Sequence, residues 1–398
     1  MSIYRPARLK FGIFLAPFHR HGENPTVAID RDIELIEHLD KLDFDEAWIG
    51  EHHSAGWELI ASPELIIAAA ARTTRSIRLG TGVSSLPYHH PFILADRMVQ
   101  LDHMTRGRAM FGVGPGALTS DAYMLGIEAE TQRERMAESL DVILRLFRGE
   151  SVTRHTEWFT LQDARLQLAP YTKPHMEVAV AAQFSPAGPT TSGRFGVGML
   201  SIGASQPGGL IKLASVWEMH EEAARQAGTT VSRDNWKLVM PFHLSDTREQ
   251  AFEDVREGVL QWNQEYFEGT LGRPSAGPEE ATIEAMTKRG GAIVGTPDDA
   301  IEAIENLFEL SGGFGGLLGM ANDWATWDKT KHSYELWARY VAPHFQGGVD
   351  RSIGSREWVA ENRKTIFSPQ QKAIAKAFSD AGVDIPDAMV QRMQRGNN

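Results

Sequence analysis

The sequence predicts a single eight-stranded (β/α)8 barrel of the TIM type, with insertions and a C-terminal helical extension. Three observations lead there. Short, wholly apolar segments alternate with longer segments of helical period along most of the chain. Strands apolar on both faces and separated by helices belong to a parallel sheet covered on both sides. Eight such strands and eight helices fit a closed barrel better than an open sheet, and 398 residues suit one barrel with additions. The barrel is expected to occupy residues 1–347 and the partly helical extension residues 348–398.

The first strand is Leu9 to Ala16. A helix follows from Asn24-Pro25, with Pro at its first position and Ile29, Ile33, Ile36 and Leu39 on one face. Phe44 to Gly50 is the second strand and Pro63 to Thr74 the second helix. Ile77 to Val83 and Ala109 to Val113 are the third and fourth strands, divided by a helix from Pro91 to Thr105. Gln132 to Phe147 is the fourth helix. Ser151 to Leu168 reads as an inserted hairpin. Glu177 to Ala182, Gly198 to Ile202 and Lys237 to Leu244 are further strands, with helices over Gly208 to Ala227 and Glu249 to Phe267. Glu268 to Arg289 has Gly, Pro and few large apolar residues, and is expected to be a surface loop or lid. Thr296-Pro297-Asp298-Asp299 starts a helix with a capping hydroxyl, Pro next and acids in the first turn. Gly315 to Met320 is the last strand and Lys331 to Ala342 the last helix. In the extension, Ser368 to Phe378 is expected to be helical.

Composition narrows the function. Forty basic against fifty-two acidic side chains leave a net charge of −12, which disfavours nucleic acid or an anionic membrane as partner. The absence of cysteine removes disulfides, thiolate metal sites and cysteine nucleophiles, and suits a reducing compartment. No export signal or membrane-spanning run is read in the sequence, so a cytoplasmic location is expected.

Barrels of this kind carry their chemistry where the strands end. After the second strand come Gly50-Glu51-His52-His53. Three ionisable side chains behind an apolar strand are costly unless they face a cavity or one another. His52 and His53 are therefore the catalytic candidates, able to donate a proton near neutral pH; a hydrogen-bonded structural cluster is the alternative. A metal site is disfavoured, since the run is not HExxH. After the third strand, Ser84 to His90 places hydroxyls and imidazoles, which line a pocket or simply cap the third helix. After the fourth, Gly112-Val113-Gly114-Pro115-Gly116 suggests close backbone packing rather than a phosphate loop. After the fifth, Gln183 to Pro186 places Ser185 beside a helix-starting proline, a phosphate site or an ordinary cap. Arg133 and Arg135 open the fourth helix, either for phosphate contact or as a solvated face.

Four of these segments, in order, resemble the luciferase-like flavin-dependent monooxygenases: the EHH run, GTGVSSLP from Gly80 to Pro87, TRGRAMFGVG from Thr105 to Gly114, and VGTPDDAIEAI from Val294 to Ile304. The similarity spans about Leu9 to Phe345. It implies a barrel that takes reduced FMN from a separate flavin reductase and uses O2, through a flavin C4a-hydroperoxide, to oxygenate a small apolar substrate. It places the family's catalytic histidine at His52 and its non-prolyl cis peptide at Gly82-Val83, with Ser84 beside the flavin ring. It places phosphate contacts at Gln183, Ser185 and Arg133. A further family phosphate arginine is replaced here by Pro115, and Gly114 stands where luciferase has a reactive cysteine. Phe18, Trp57 and Tyr88 are the expected substrate contacts, and a homodimer is a family expectation. The reaction is expected to be epoxidation of a terpene-like alkene or a Baeyer–Villiger-type oxidation. The rivals are a deazaflavin (F420) dependent oxidoreductase on the same barrel, a metal-dependent hydrolase and a non-catalytic flavin-binding protein.

Overall fold

The computed structural model describes residues 3–16, 18–183, 185–206, 208–273, 279 and 281–395. It divides into two compact units, Met1–Phe345 and Gln346–Asn398.

The first unit is a closed barrel. Its eight strands are β1 (Lys10–Leu15), β2 (Glu46–Ile49), β3 (Arg78–Ser85), β4 (Ala109–Gly114), β7 (Glu177–Ala182), β8 (Gly198–Ser201), β9 (Trp236–Leu244) and β11 (Gly316–Met320). Each pairs in parallel with its neighbour in that order, and β11 returns to β1 with Phe14 opposite Met320. An antiparallel hairpin, β5 (Val152–His155) and β6 (Thr160–Ala164), stands outside the circuit, as expected for Ser151 to Leu168. A short strand, β10 (Ile293–Gly295), adds in parallel to the end of β9. That strand falls between the stretch expected to be a loop and the helix expected from Thr296, where no element was expected.

The helices around the circuit begin where local chemistry starts them. The helix α1 (Pro25–Lys41) has Pro at its first position, and the Asn24 side chain accepts from the Thr26 amide at 3.0 Å. Proline likewise opens α2 (Pro63–Thr73) and α3 (Pro91–Thr105). A short helix, α4 (Thr119–Met124), precedes α5 (Gln132–Phe147) and was not foreseen. The helices α6 (Ala187–Phe195), α7 (Leu213–Ala227) and α8 (Arg248–Gln261) follow, and α8 runs on into a wider helical turn, Trp262–Thr270. The region expected to be a lid is in part ordinary helix. Residues 268–270 finish the wide turn, and α9 (Ile283–Lys288) buries Ile283 and Met286 against Val255, Val259 and Val294. Those two apolar side chains, three apart on one helix, outweigh the Gly and Pro around them. Residues 274–278 and 280 of that stretch lie outside the described residues. At α10 (Pro297–Ser311) the Thr296 hydroxyl and the Asp299 carboxylate cap each other's backbone. The helix α11 (Trp327–Leu336) closes the circuit.

The barrel interior has two levels. Phe14, Trp48, Met110, Ala179, Leu200, Val239 and Leu318 form one apolar layer, a residue from each strand except β3. At that level β3 supplies Gly80, whose missing side chain leaves room for the Trp48 ring; a Cβ there would stand 2.8 Å from Trp48 Cε3. Below the layer, at the strands' N-terminal ends, Glu46, Arg78, Glu177 and Lys237 form a buried quartet of two acids and two bases. Glu46 and Lys237 are wholly inaccessible. This arrangement fills the bottom of the barrel with charge-paired side chains.

The second unit consists of helices Asp350–Glu361, Arg363–Asp380 and Asp387–Arg395. Its side chains are largely exposed. Among the described residues no helix is long and apolar enough to cross a membrane.

Candidate functional site at the barrel mouth

Two acid–histidine networks grow from the end of β2. Glu51 is buried and receives three donors: the Ser85 amide at 2.8 Å, His53 Nε2 at 2.9 Å and His89 Nε2 at 2.8 Å. Burial opposes its charge, but those hydrogen bonds override burial and hold the carboxyl below its ordinary pKa. The hydrogen bond to Glu51 raises the pKa of His53 in turn.

His52 faces the second network. Its Nδ1 lies 3.1 Å from Asp121 Oδ2 and its Nε2 lies 3.2 Å from Glu58 Oε2. Asp121 also accepts from the His53 amide at 3.1 Å and from the Ser54 hydroxyl. Glu58 Oε1 accepts from the Tyr266 hydroxyl at 2.8 Å. Burial would depress the pKa of His52, but Glu58 and Asp121 outweigh it and the pKa rises. Burial raises that of Glu58, against the pull of His52. For Asp121 the His52 and Ser54 hydrogen bonds overcome burial and lower it.

Aromatic side chains wall this region. Phe18 packs edge-on against Trp262 and Tyr266, with ring centroids 5.4 and 5.0 Å away. Trp57 is buried, donates to Thr270 Oγ1 at 3.0 Å and lies 5.6 Å from the Tyr266 ring. Tyr88 stands edge-on to His53 at 5.9 Å and accepts from Gln132 Nε2 at 3.2 Å; burial pushes its pKa up to about 12. His52, His53, Phe18, Trp57 and Tyr88, proposed from the sequence, therefore gather at one end of the barrel.

The third strand ends beside them. The Gly82-Val83 peptide is cis, at the residues to which the resemblance assigned it. Gly82 has no room for a side chain, because a Cβ would lie 2.8 Å from Trp48 Cβ. Ser84 is fully buried, and its hydroxyl has no hydrogen-bond partner. A buried hydroxyl without a partner is unusual in a folded protein and marks a group able to donate to or accept from a bound molecule. The glycine-rich run after β4 packs closely. A Cβ on Gly112 would stand 2.1 Å from the Thr81 carbonyl oxygen, and one on Gly114 would stand 2.6 Å from Val83 Cγ2.

The residues assigned to phosphate are less concentrated. Gln183 lines a shallow depression with Ser201, Gly203 and Lys212, past the ends of β7 and β8. Ser185 is half-buried just before α6. Arg133 is exposed on the first turn of α5 and makes no ion pair among the described residues. Among the described residues no group of three His, Asp or Glu side chains is arranged to hold a metal ion.

Three residues of the site were not singled out in the sequence: Asp121, Glu58 and Tyr266. Asp121 sits on α4, a six-residue helix with no long periodicity to betray it. Glu58 offered a faint signal, an acid between Trp57 and Leu59-Ile60. Tyr266 comes 208 positions after Glu58, and only the fold joins them.

A closed parallel barrel with buried acid–histidine networks and an apolar wall at its mouth defines a barrel enzyme with its site at the strand ends, and similarity to known proteins gives its family. The chain belongs to the luciferase-like monooxygenase family, whose model matches residues 9–313. It is 47% identical over 374 residues to limonene 1,2-monooxygenase of Rhodococcus erythropolis, covering 93% of this chain and 96% of that one. It is 46% identical to 4-hydroxyprotoasukamycin monooxygenase of Streptomyces nodosus subsp. asukaensis, covering 90% and 98%. Among solved structures, the oxygenating constituent of 3,6-diketocamphane monooxygenase from Pseudomonas putida, a type II Baeyer–Villiger monooxygenase in complex with FMN, superposes with a TM-score of 0.72 at 27% identity, covering 84% of this chain and 98% of that one. The chain is a monooxygenase on a TIM barrel.

Proposed function

We propose that this monooxygenase is the oxygenase of a two-component system, taking reduced FMN from a separate flavin reductase in the cytoplasm and using O2 to oxygenate a small apolar substrate. The observation that carries the reading is the buried Ser84 hydroxyl, without a partner, at the end of β3 and close in sequence to Ser85, whose amide holds Glu51. It would supply a hydrogen-bonding group to a planar polar ring bound at the end of β3. Gln183, Ser185 and Arg133 are the residues that would take the phosphate. The fit is chemical: a buried hydroxyl for the ring, and hydroxyl, amide and cationic groups for the anion. When bound, a reduced flavin supplies the activation of O2.

This chain's own residues do the rest. Asp121 accepts from His52 Nδ1 and fixes the ring. His52, whose pKa the carboxylates of Glu58 and Asp121 raise against burial, is the acid that would keep a developing oxygen-centred charge protonated. Phe18, Trp57 and Tyr88 offer an apolar substrate its surface and keep water from it. A relative named for limonene favours a terpene-like alkene, and the structural relative named for Baeyer–Villiger chemistry keeps a cyclic ketone as the second substrate class.

Purified protein supplied with a flavin reductase, NADH, FMN and O2 is expected to add one oxygen atom, detected by mass, to a member of a terpene and ketone panel. Normal binding of reduced FMN with no product across the panel would overturn the substrate reading. His52→Ala is expected to abolish coupled turnover while leaving flavin binding intact; unchanged turnover would overturn the assignment of the acid.

A further inference from the structure

His52 has no free nitrogen. Its Nδ1 faces Asp121 at 3.1 Å and its Nε2 faces Glu58 at 3.2 Å. Two carboxylates on one imidazole are more than orientation requires, since one hydrogen bond to Nδ1 already sets tautomer and ring plane. Glu58 is the unexpected member. Its side chain is 6% exposed, and among the described residues its sole ion-pair partner is His52. Its other oxygen is occupied by the Tyr266 hydroxyl. A buried carboxylate needs a counter-charge or a proton. The proton between Glu58 Oε2 and His52 Nε2 satisfies either demand. On His52 it makes an ion pair; on Glu58 it makes a neutral acid donating to a neutral ring. Both arrangements contain the same number of protons, and Nδ1 donates to Asp121 in each.

We propose that Glu58 is a positioning residue that stores this proton with His52, so that the acid of the site is the Glu58–His52 pair rather than the imidazole alone. The proposal rests on the reading of His52 as the acid. The surroundings fit it. The charged and titratable groups facing the pair are Asp121 on α4, Glu51 and His53 at the end of β2, His19 after β1 and Tyr266 on the turn after α8. The acids among them favour a proton on the pair. The two histidines in that group each face a carboxylate of their own, His19 against Asp32 at 3.0 Å and His53 against Glu51 at 2.9 Å. Tyr266 donates to Glu58 and so lets the carboxylate hold charge without taking the proton outright. Its ring packs on Phe18 and Trp57, the residues offered to the substrate. The protonation state of the pair is thereby tied to the packing of the substrate wall.

The test is Glu58→Gln, which keeps the shape and the Tyr266 hydrogen bond but removes the charge. Nitrogen-15 NMR of the histidine rings, with His52 assigned by difference against His52→Gln, reads its titration directly. Loss of an opposite charge at contact distance is expected to lower the His52 midpoint by about one to three pH units. The pH limb of coupled turnover that reports the acid is expected to move down with it, with kcat changed and substrate KM retained. Glu58→Asp, whose carboxylate is withdrawn by one methylene, is expected to give a smaller shift in the same direction. It serves as the reporter should Glu58→Gln fail to fold. An unmoved His52 midpoint in both variants overturns the proposal. Coupled turnover retained in His52→Ala overturns the acid reading beneath it, and the NMR midpoint still decides separately whether Glu58 and His52 share the proton.

Discussion

Lys237→Met should unfold the barrel more easily than any surface substitution, and its cost can be worked from the quartet at the barrel floor. Lys237 Nζ contacts Glu177 and lies 3.9 Å from Glu46; Arg78 lies 2.6 Å from Glu177 and 3.5 Å from Glu46. Two positive and two negative charges balance. Removing Lys237 leaves one net negative charge with Glu46 wholly inaccessible. At an effective dielectric of about 20, a charge pair at 3.9 Å is worth about 4 kcal/mol. A second route agrees. Burial alone would raise the pKa of Glu177, yet Lys237 and Arg78 overcome it and bring it from 4.5 down to about 2, a stabilisation of about 3 kcal/mol. Breaking a buried pair from one side generally costs about 3–5 kcal/mol. We therefore expect Lys237→Met to lose about 3–5 kcal/mol, a fall in Tm of roughly 6–20 °C at about 2–4 °C per kcal/mol.

The double variant Lys237→Met/Glu177→Gln removes one charge of each sign and leaves Arg78 with Glu46. It should be more stable than Lys237→Met alone. The pH dependence carries a sign. Because the folded pKa of Glu177 is depressed, its contribution is complete above pH 4.5 and is lost as pH falls from there toward 2. Lys237→Met should flatten that loss. Melting curves by circular dichroism at neutral pH and at steps below pH 4.5 read both effects. A single variant that melts with the wild type, or a double variant with additive losses, refutes the reasoning.

Two further predictions bear on β3 and β4. Gly112→Ala puts a Cβ 2.1 Å from the Thr81 carbonyl oxygen, so the strands must part, at about 1–3 kcal/mol or more, read as a lowered Tm. Ser84→Ala removes a buried hydroxyl that has no partner, so the apo-protein should melt at the same temperature or higher. Its affinity for reduced FMN should fall about 2–10-fold by equilibrium titration, the loss of one hydrogen bond; unchanged affinity would remove Ser84 from the flavin site.

The barrel was legible because its signals are local. Apolar strands, proline-led helices and the Thr296–Asp299 cap each lie within a few neighbouring residues. Much of the mouth was legible for the same reason, since Glu51, His52 and His53 are adjacent and directly follow a strand. What escaped depends on contacts that no local pattern encodes. Asp121 reaches His52 from a six-residue helix, Tyr266 reaches Glu58 from the far side of the chain, and the floor quartet draws single residues from β2, β3, β7 and β9. The lid expectation failed for a related reason. Ile283 and Met286 are too few to mark a helix alone, and they become decisive only against the apolar faces of α8 and β10.

The two ends of the barrel solve opposite electrostatic problems, and that division bears on how pH should act. At the floor, each acid meets an Arg or a Lys, groups that keep their charge across the physiological range. At the mouth, the charged partners of Glu51, Glu58 and Asp121 in the described contacts are all histidines. A histidine gives up its charge near neutrality. Charge at the mouth is therefore set by proton supply, while charge at the floor is fixed. Because the pKa values of His52 and His53 are raised, their favourable pairing is complete below the ordinary value of 6.5 and is lost as pH climbs through the raised values. Moderately alkaline solution should thus unload the acid of the site before it disturbs the barrel beneath, so turnover should decline with rising pH while the melting temperature changes far less. A parallel collapse of both would mean that the mouth histidines hold the fold together rather than serve the reaction.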